Sequence, residues 1–185
     1  MGVLPDFVVF DLETNADSPD RTQHQIIQIG AVRAGPEGVV DRFETLVRPT
    51  RKVADHITEL TGLEDADLAR APKLREALGD FFAWLRAQNV DSPLPLIAHN
   101  GFGYDFVVLD AAADAVGVRI PDGPRLDSLE PAHLVYARAG AEIKGADGRV
   151  PPPGRSVDDL AKRYGLIDLD RERHDALEDS ELTYK

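Results

Sequence analysis

Cysteine is absent from the 185 residues, which excludes disulfides and thiolate-ligated zinc. Absent too is any apolar run long enough to cross a bilayer. Met1–Phe10 has neither the basic start nor the long apolar stretch of a secretion signal. These absences point to a soluble, cytoplasmic protein. Long polar tracts, internal repeats and linkers are missing as well. With 43% hydrophobic residues the chain has enough apolar material for a core, and residues 1–185 read as one domain. A basic excess is also lacking: 21 Lys and Arg stand against 33 Asp and Glu, a net charge of -12. A protein that grips nucleic acid by counterion release carries a basic face. If this chain acts on nucleic acid, contact is short and local, with metal ions cancelling an acidic centre. The same acidity also serves solubility. EF-hand spacing is absent, which argues against a calcium module.

What is present reads as α/β. Asp6–Leu12 (DFVVFDL), Ile26–Arg33 and Val39–Val47 are apolar, β-branched strand segments. Asn15–Gln25 is polar and reads as a loop, and the Gly35–Gly38 turn predicts a hairpin between the second and third strands. Lys73–Ala87 repeats Leu74, Leu78, Phe81, Phe82 and Leu85 at the period of one helix face, with Pro72 at its start. Leu94–Ala98 follows as a short buried strand, and Tyr104–Val116 as a helix ended by Gly117. Leu126–Ala139 and Val157–Tyr164 read as further helices, the second capped by Ser156. Between them Gly140–Arg155 is a Gly/Pro-rich surface loop with Lys144, Arg149 and Arg155. A last helix begins near Asp175. The sum is a mixed sheet with helices on its faces.

Three acidic segments carry the chemistry. Alternate residues of a strand face the same side, so Asp11 and Glu13 project together from the end of the first strand. Carboxylates held that close repel unless protons or cations intervene, and hard divalent ions suit oxygen ligands. Taken alone, the Asp-x-Glu pair reads first as a solvated acidic strand end. Asp105 opens a helix after the segment His99-Asn100-Gly101-Phe102-Gly103-Tyr104, where a helix N-terminus itself favours a carboxylate. In His174–Asp179, positions five apart lie about 140° round a helix. If both serve one site, Asp179 lies on the helix and His174 on the loop before it.

FDLET at Phe10–Thr14, HNGFGYD at His99–Asp105 and HDALED at His174–Asp179 resemble the three motifs of the DEDDh exonuclease family, in order and over nearly the whole chain. IIQIGAV at Ile26–Val32, LTGL at Leu60–Leu63, LDSL at Leu126–Leu129 and SVDDLAKRYGL at Ser156–Leu166 match its secondary signals. The chain looks most like the exonuclease domains of bacterial DNA polymerase III and of exonuclease–helicase fusions. The resemblance implies a ribonuclease H-like fold, a mixed five-stranded sheet flanked by helices. It implies 3′→5′ removal of nucleoside monophosphates from single-stranded ends, DNA favoured over RNA, with two divalent ions, Mg²⁺ or Mn²⁺. By position, Asp11, Glu13, Asp105 and Asp179 match the metal ligands and His174 the general base. Leu12 and Thr14 match positions that hold or wedge the terminal nucleotide, and His99 and Asn100 positions lining the same pocket.

The chain departs from the family at three places. Asn15-Ala16 stands where Thr-Gly is common, three residues rather than two separate Asn100 from Tyr104, and Tyr104 replaces the usual Phe. The family's last helix continues past the point where this chain stops, which suggests a domain of a longer polypeptide. The partner expected is a single-stranded 3′ end, with a polymerase or helicase, fused or separate. Arg48, Arg51 and Lys52 form a candidate basic edge along the substrate path. The alternatives are a 3′→5′ exoribonuclease of the same family and an inactive module that docks a polymerase or helicase.

Overall fold

The computed structural model describes residues 6–16, 18–88, 92–129, 156, 159 and 174–184. Its central strand is β1 (Phe7–Thr14), whose β-branched and aromatic residues suit a pleated, buried backbone. On one side of it lie β2 (Ile26–Gly35) and β3 (Gly38–Leu46), joined through the hairpin turn that the glycines predict. On the other side lie β4 (Leu96–Ala98) and β5 (Arg125–Asp127). The sheet order is β3-β2-β1-β4-β5. β1 runs antiparallel to β2 and parallel to β4, and β4 parallel to β5, which makes the expected mixed five-stranded sheet.

One expectation is overturned here. Leu126 and Asp127 belong to β5 and do not start a helix. Three residues are too few for a periodic signal, and pairing with β4 decides their conformation. Residues 130–139, the Gly140–Arg155 loop and nearly all of the Val157–Tyr164 helix lie outside the described residues. Ser156, the expected cap, and Asp159 are described. The Asp159 N–H donates to Ser156 Oγ at 3.1 Å, and Ser156 Oγ donates back to Asp159 Oδ2 at 2.8 Å.

Among the described residues, α1 (Asp55–Thr61) and α2 (Asp65–Leu68) follow β3, in a stretch read from sequence only through its LTGL segment. α3 (Leu74–Gln88) and α4 (Asp105–Val116) stand where periodicity puts them, and α4 ends at Gly117 with φ 64°, a left-handed cap. α5 (Ala176–Tyr184) is the last helix. Val8, Phe10 and Leu12 of β1 share the main core with Leu78, Phe81 and Phe82 of α3 and Phe106 and Leu109 of α4. Phe10 sits between Phe81 and Phe106, with ring centroids 6.2 and 5.3 Å away. A second cluster joins Ile27 to Val53, Ile57 and Leu68 under α1 and α2. The central strand is thus fixed on its apolar side, and the geometry of its acidic side follows.

Candidate active site

Alternation along β1 turns Leu12 into the core and leaves Asp11 and Glu13 half-buried on the opposite face. In register with them on β2 stand Gly30, opposite Asp11, and Gln28, opposite Glu13. Gly30 is what lets α5 lie against this face. A Cβ there would fall 2.1 Å from the carbonyl carbon of Ala176. The Ser180 hydroxyl then donates to the Gly30 carbonyl at 3.0 Å, stitching helix to strand.

The start of α5 is equally determined. Asp175 caps it, its Oδ1 accepting from the N–H groups of Leu177 and Glu178 at 3.1 and 3.0 Å. His174 precedes the cap, and its backbone N–H donates to the Leu60 carbonyl at the end of α1, 2.9 Å away. His174 therefore lies on the loop and Asp179 in the helix, as the helical-angle argument requires. The His174 Nδ1 and Asp179 Oδ2 atoms are 3.4 Å apart. One ligating atom from each of Glu13, His174 and Asp179 lies within 4.8 Å of the others. The two carboxylates in that space offer oxygen donors suited to a hard divalent cation, with the imidazole beside them.

Asp105 reaches the same end of the sheet from α4. β1 pairs with β4 only at Val8 and Val9, so by Leu12 the central strand has outrun its neighbour. The Leu12 N–H donates instead to Asp105 Oδ1 at 3.2 Å. Burial pushes the Asp105 carboxyl up to about 8; backbone N–H donors oppose the shift, and the Glu13 and Asp127 charges add to it. Tyr104, next to it, has its phenol raised first by burial, with smaller contributions from Asp105, Glu13 and Asp11. Asp11 lies on the same face of β1 as Glu13, and it is not one of the three residues whose ligating atoms crowd together.

The positions expected to bind substrate divide. Thr14 is 4% exposed, and its hydroxyl lies 2.7 Å from the Tyr104 hydroxyl, which also bonds His24 Nδ1 at 2.9 Å. Leu12 has its side chain in the core, so only its backbone faces the acidic end. His99 Nδ1 lies 2.9 Å from Ser128 Oγ, and Asn100 is exposed with φ 55°. The Phe102 N–H donates to Asp127 Oδ2 at 3.1 Å, so the LDSL segment holds the loop that leads into Asp105. Arg48, Arg51 and Lys52 are exposed. Arg48 and Arg51 line a cavity of about 370 Å³ beside α4, and none of the acidic residues lines it.

Sequence reasoning passed over Gln28, His24 and the capping role of Asp175. Asp175 had a local signal, an N-cap residue at a helix start. Gln28 and His24 had none, because their roles arise from partners 147 and 80 residues away.

This architecture, a mixed five-stranded sheet flanked by helices with acidic side chains at the end of the central strand, is a ribonuclease H-like fold. The RNase T family model, described as an exonuclease, matches residues 8–185. The chain belongs to the RNase T exonuclease family and is an exonuclease domain of the DEDDh type. Among its relatives is the DNA polymerase III PolC-type of Caldanaerobacter subterraneus subsp. tengcongensis, 33% identical over 131 residues, 71% of this chain and 9% of that one. The PolC-type enzyme of Bacillus cereus is 28% identical over 94% of this chain and 12% of its own. The chain thus spans about a tenth of the length of these relatives. In fold it is similar to Escherichia coli exonuclease I in complex with a dT13 oligonucleotide, with a TM-score of 0.73 and 18% identity over 96% of this chain and 38% of that one. It is similar also to the nuclease domain of 3'hExo, a DEDDh family member bound to rAMP, with a TM-score of 0.71 and 16% identity over 96% and 86%. No helix among the described residues is long and apolar enough to cross a membrane.

Proposed function

We propose that this domain removes nucleoside monophosphates from the 3′ end of single-stranded DNA, with Asp11, Glu13, Asp105 and Asp179 holding two divalent ions, Mg²⁺ or Mn²⁺. The observation that carries the reading is the crowding of Glu13, His174 and Asp179 donor atoms within 4.8 Å, beside a buried Asp105. Bound divalent cations supply Lewis acidity at the phosphodiester and lower the pKa of water. The residues of the chain do the rest. The carboxylates fix position and charge, and the loop-borne His174 imidazole takes a proton from the attacking water. Thr14, tied to Tyr104, holds the terminal nucleotide, while His99 and Asn100 line its pocket. Asp105 must lose its proton to become a ligand, so cation binding and its ionisation are coupled.

Likeness to PolC-type polymerases favours DNA, and a cytoplasmic role in replication or repair beside or within a larger polymerase. RNA is the second reading, favoured by the likeness to a nuclease domain bound to rAMP. The deciding experiment uses matched DNA and RNA oligonucleotides labelled at the 5′ end, with Mn²⁺ or with chelator. A ladder of progressively shorter labelled products, present only with metal and faster for DNA, is expected. A single internal cut, or degradation that persists in chelator, would sink the reading.

A further inference from the structure

The sheet face that carries Glu13 also holds a buried amide with no place among the proposed ligands. Gln28 is 3% exposed, in β2, and directly opposite Glu13 in the register of β1 and β2. Residues opposite each other in an antiparallel pair share a face, so the amide starts beside the proposed metal ligands. A buried amide is costly unless its hydrogen bonds are made, and the way these are made is informative. Its Nε2 donates to Glu44 Oε1 of β3 at 3.0 Å and to Asp175 Oδ2 at 2.8 Å. Its Oε1 accepts from the Ala176 N–H at 3.2 Å. Two of the three bonds therefore end on the cap and the first residue of α5, and both acceptors of Nε2 are carboxylates, which strengthens them. Asp175 uses its other oxygen to cap the same helix.

We propose that Gln28 is a positioning residue of this site. It clamps the start of α5 to β2, so that His174, one residue before the clamp, and Asp179, one turn after it, arrive next to Glu13. It acts through Asp175 and the helix backbone, touching neither nucleotide nor cation. The inference rests on the proposed metal site, and it adds that the site is assembled by a neutral amide bridging two acidic side chains. No other uncharged side chain of this length both donates to the carboxylates of Glu44 and Asp175 and accepts from the helix N-terminus.

The test compares Gln28→Leu with Gln88→Leu. Gln88 is also a buried glutamine, bonded to Asp41 and Arg33 and outside the acidic face. Mn²⁺ affinity is read by calorimetry, kcat and KM on a 5′-labelled oligonucleotide, and folding by circular dichroism. Gln28→Leu is expected to weaken Mn²⁺ binding and lower kcat by about tenfold each, as loss of an outer-shell partner does, with KM little changed. Gln88→Leu is expected to change neither by more than about twofold. A loss under about fivefold in folded Gln28→Leu, or an equal loss in Gln88→Leu, would overturn the proposal. Should Gln28→Leu fail to fold, Asp175→Asn decides: its amide oxygen keeps the cap but turns an NH₂ toward Gln28. Unchanged Mn²⁺ affinity in that variant would also overturn it. If the wild-type protein cleaves no oligonucleotide, the functional reading fails, and the Mn²⁺ titrations still judge the clamp.

Discussion

Asp105 carries the strongest electrostatic constraint that the described residues show. Its folded carboxyl lies at about 8, far above an unfolded aspartate, so the metal-free native state keeps a proton that the unfolded chain has released. With a raised folded value, its contribution to stability is complete below about pH 4 and is lost as pH rises through about 8. Metal-free protein is therefore expected to melt at progressively lower temperature between pH 4 and 8. Asp105→Asn should flatten that slope, and Mn²⁺ should reverse it with release of a proton. Thermal melts across that range check this. A slope of the opposite sign, or one unchanged in Asp105→Asn, contradicts it. His174 is a different kind of residue: half-buried, on a loop and tied by its backbone to Leu60. His174→Ala is expected to lower kcat by about 100-fold or more, the usual scale for a positioned general base. Mn²⁺ affinity should fall much less, because three carboxylates and Asp105 remain. Turnover within a few-fold of wild type would remove His174 from the chemistry.

At the scale of the element, α5 is the piece that completes the site, and Gly30 is the piece that admits α5. A methyl at Gly30 would meet the Ala176 backbone at 2.1 Å, a contact that only movement of the helix relieves. Gly30→Ala is expected to cost about 1–3 kcal/mol, the range of overpacked cores, measured by urea unfolding. It should also weaken Mn²⁺ binding, since Asp179 moves with the helix. Wild-type stability and affinity would show that the approach is looser than described. Elements of this kind were legible from sequence to differing degrees. β1, β2, β3, α3 and α4 announce themselves by long apolar or periodic runs, and Gly117 marks its helix end by chain chemistry alone. β5 does not, because three residues with intermediate burial at both ends carry no period, and only the parallel partner β4 makes them a strand. α1 and α2 are short, at 7 and 4 residues, and are set by capping and packing on Ile27 rather than by a long stripe.

For the whole molecule, the net charge of -12 is consistent with a site that depends on cations and with a substrate held at its end. The five proposed catalytic positions are separated by up to 168 residues, and no local rule brings His174 to Glu13. The order of motifs singled them out, and the fold brings donor atoms of Glu13, His174 and Asp179 within 4.8 Å of one another. An apolar β1 face presses on α3 and α4, which leaves the acidic face for α5, and Gln28 and Gly30 seat that helix. The amide, the glycine contact and the Tyr104–His24–Thr14 bonds were not legible, because each depends on a partner far along the chain. The most direct measurement is therefore calorimetric titration of Mn²⁺ into wild-type protein, Glu13→Gln and Asp179→Asn. Saturable binding in the wild type, weakened by about tenfold or more in each variant, is the predicted result. No saturable binding to the wild type, or the same affinity in all three proteins, would contradict a divalent-cation centre built on these side chains.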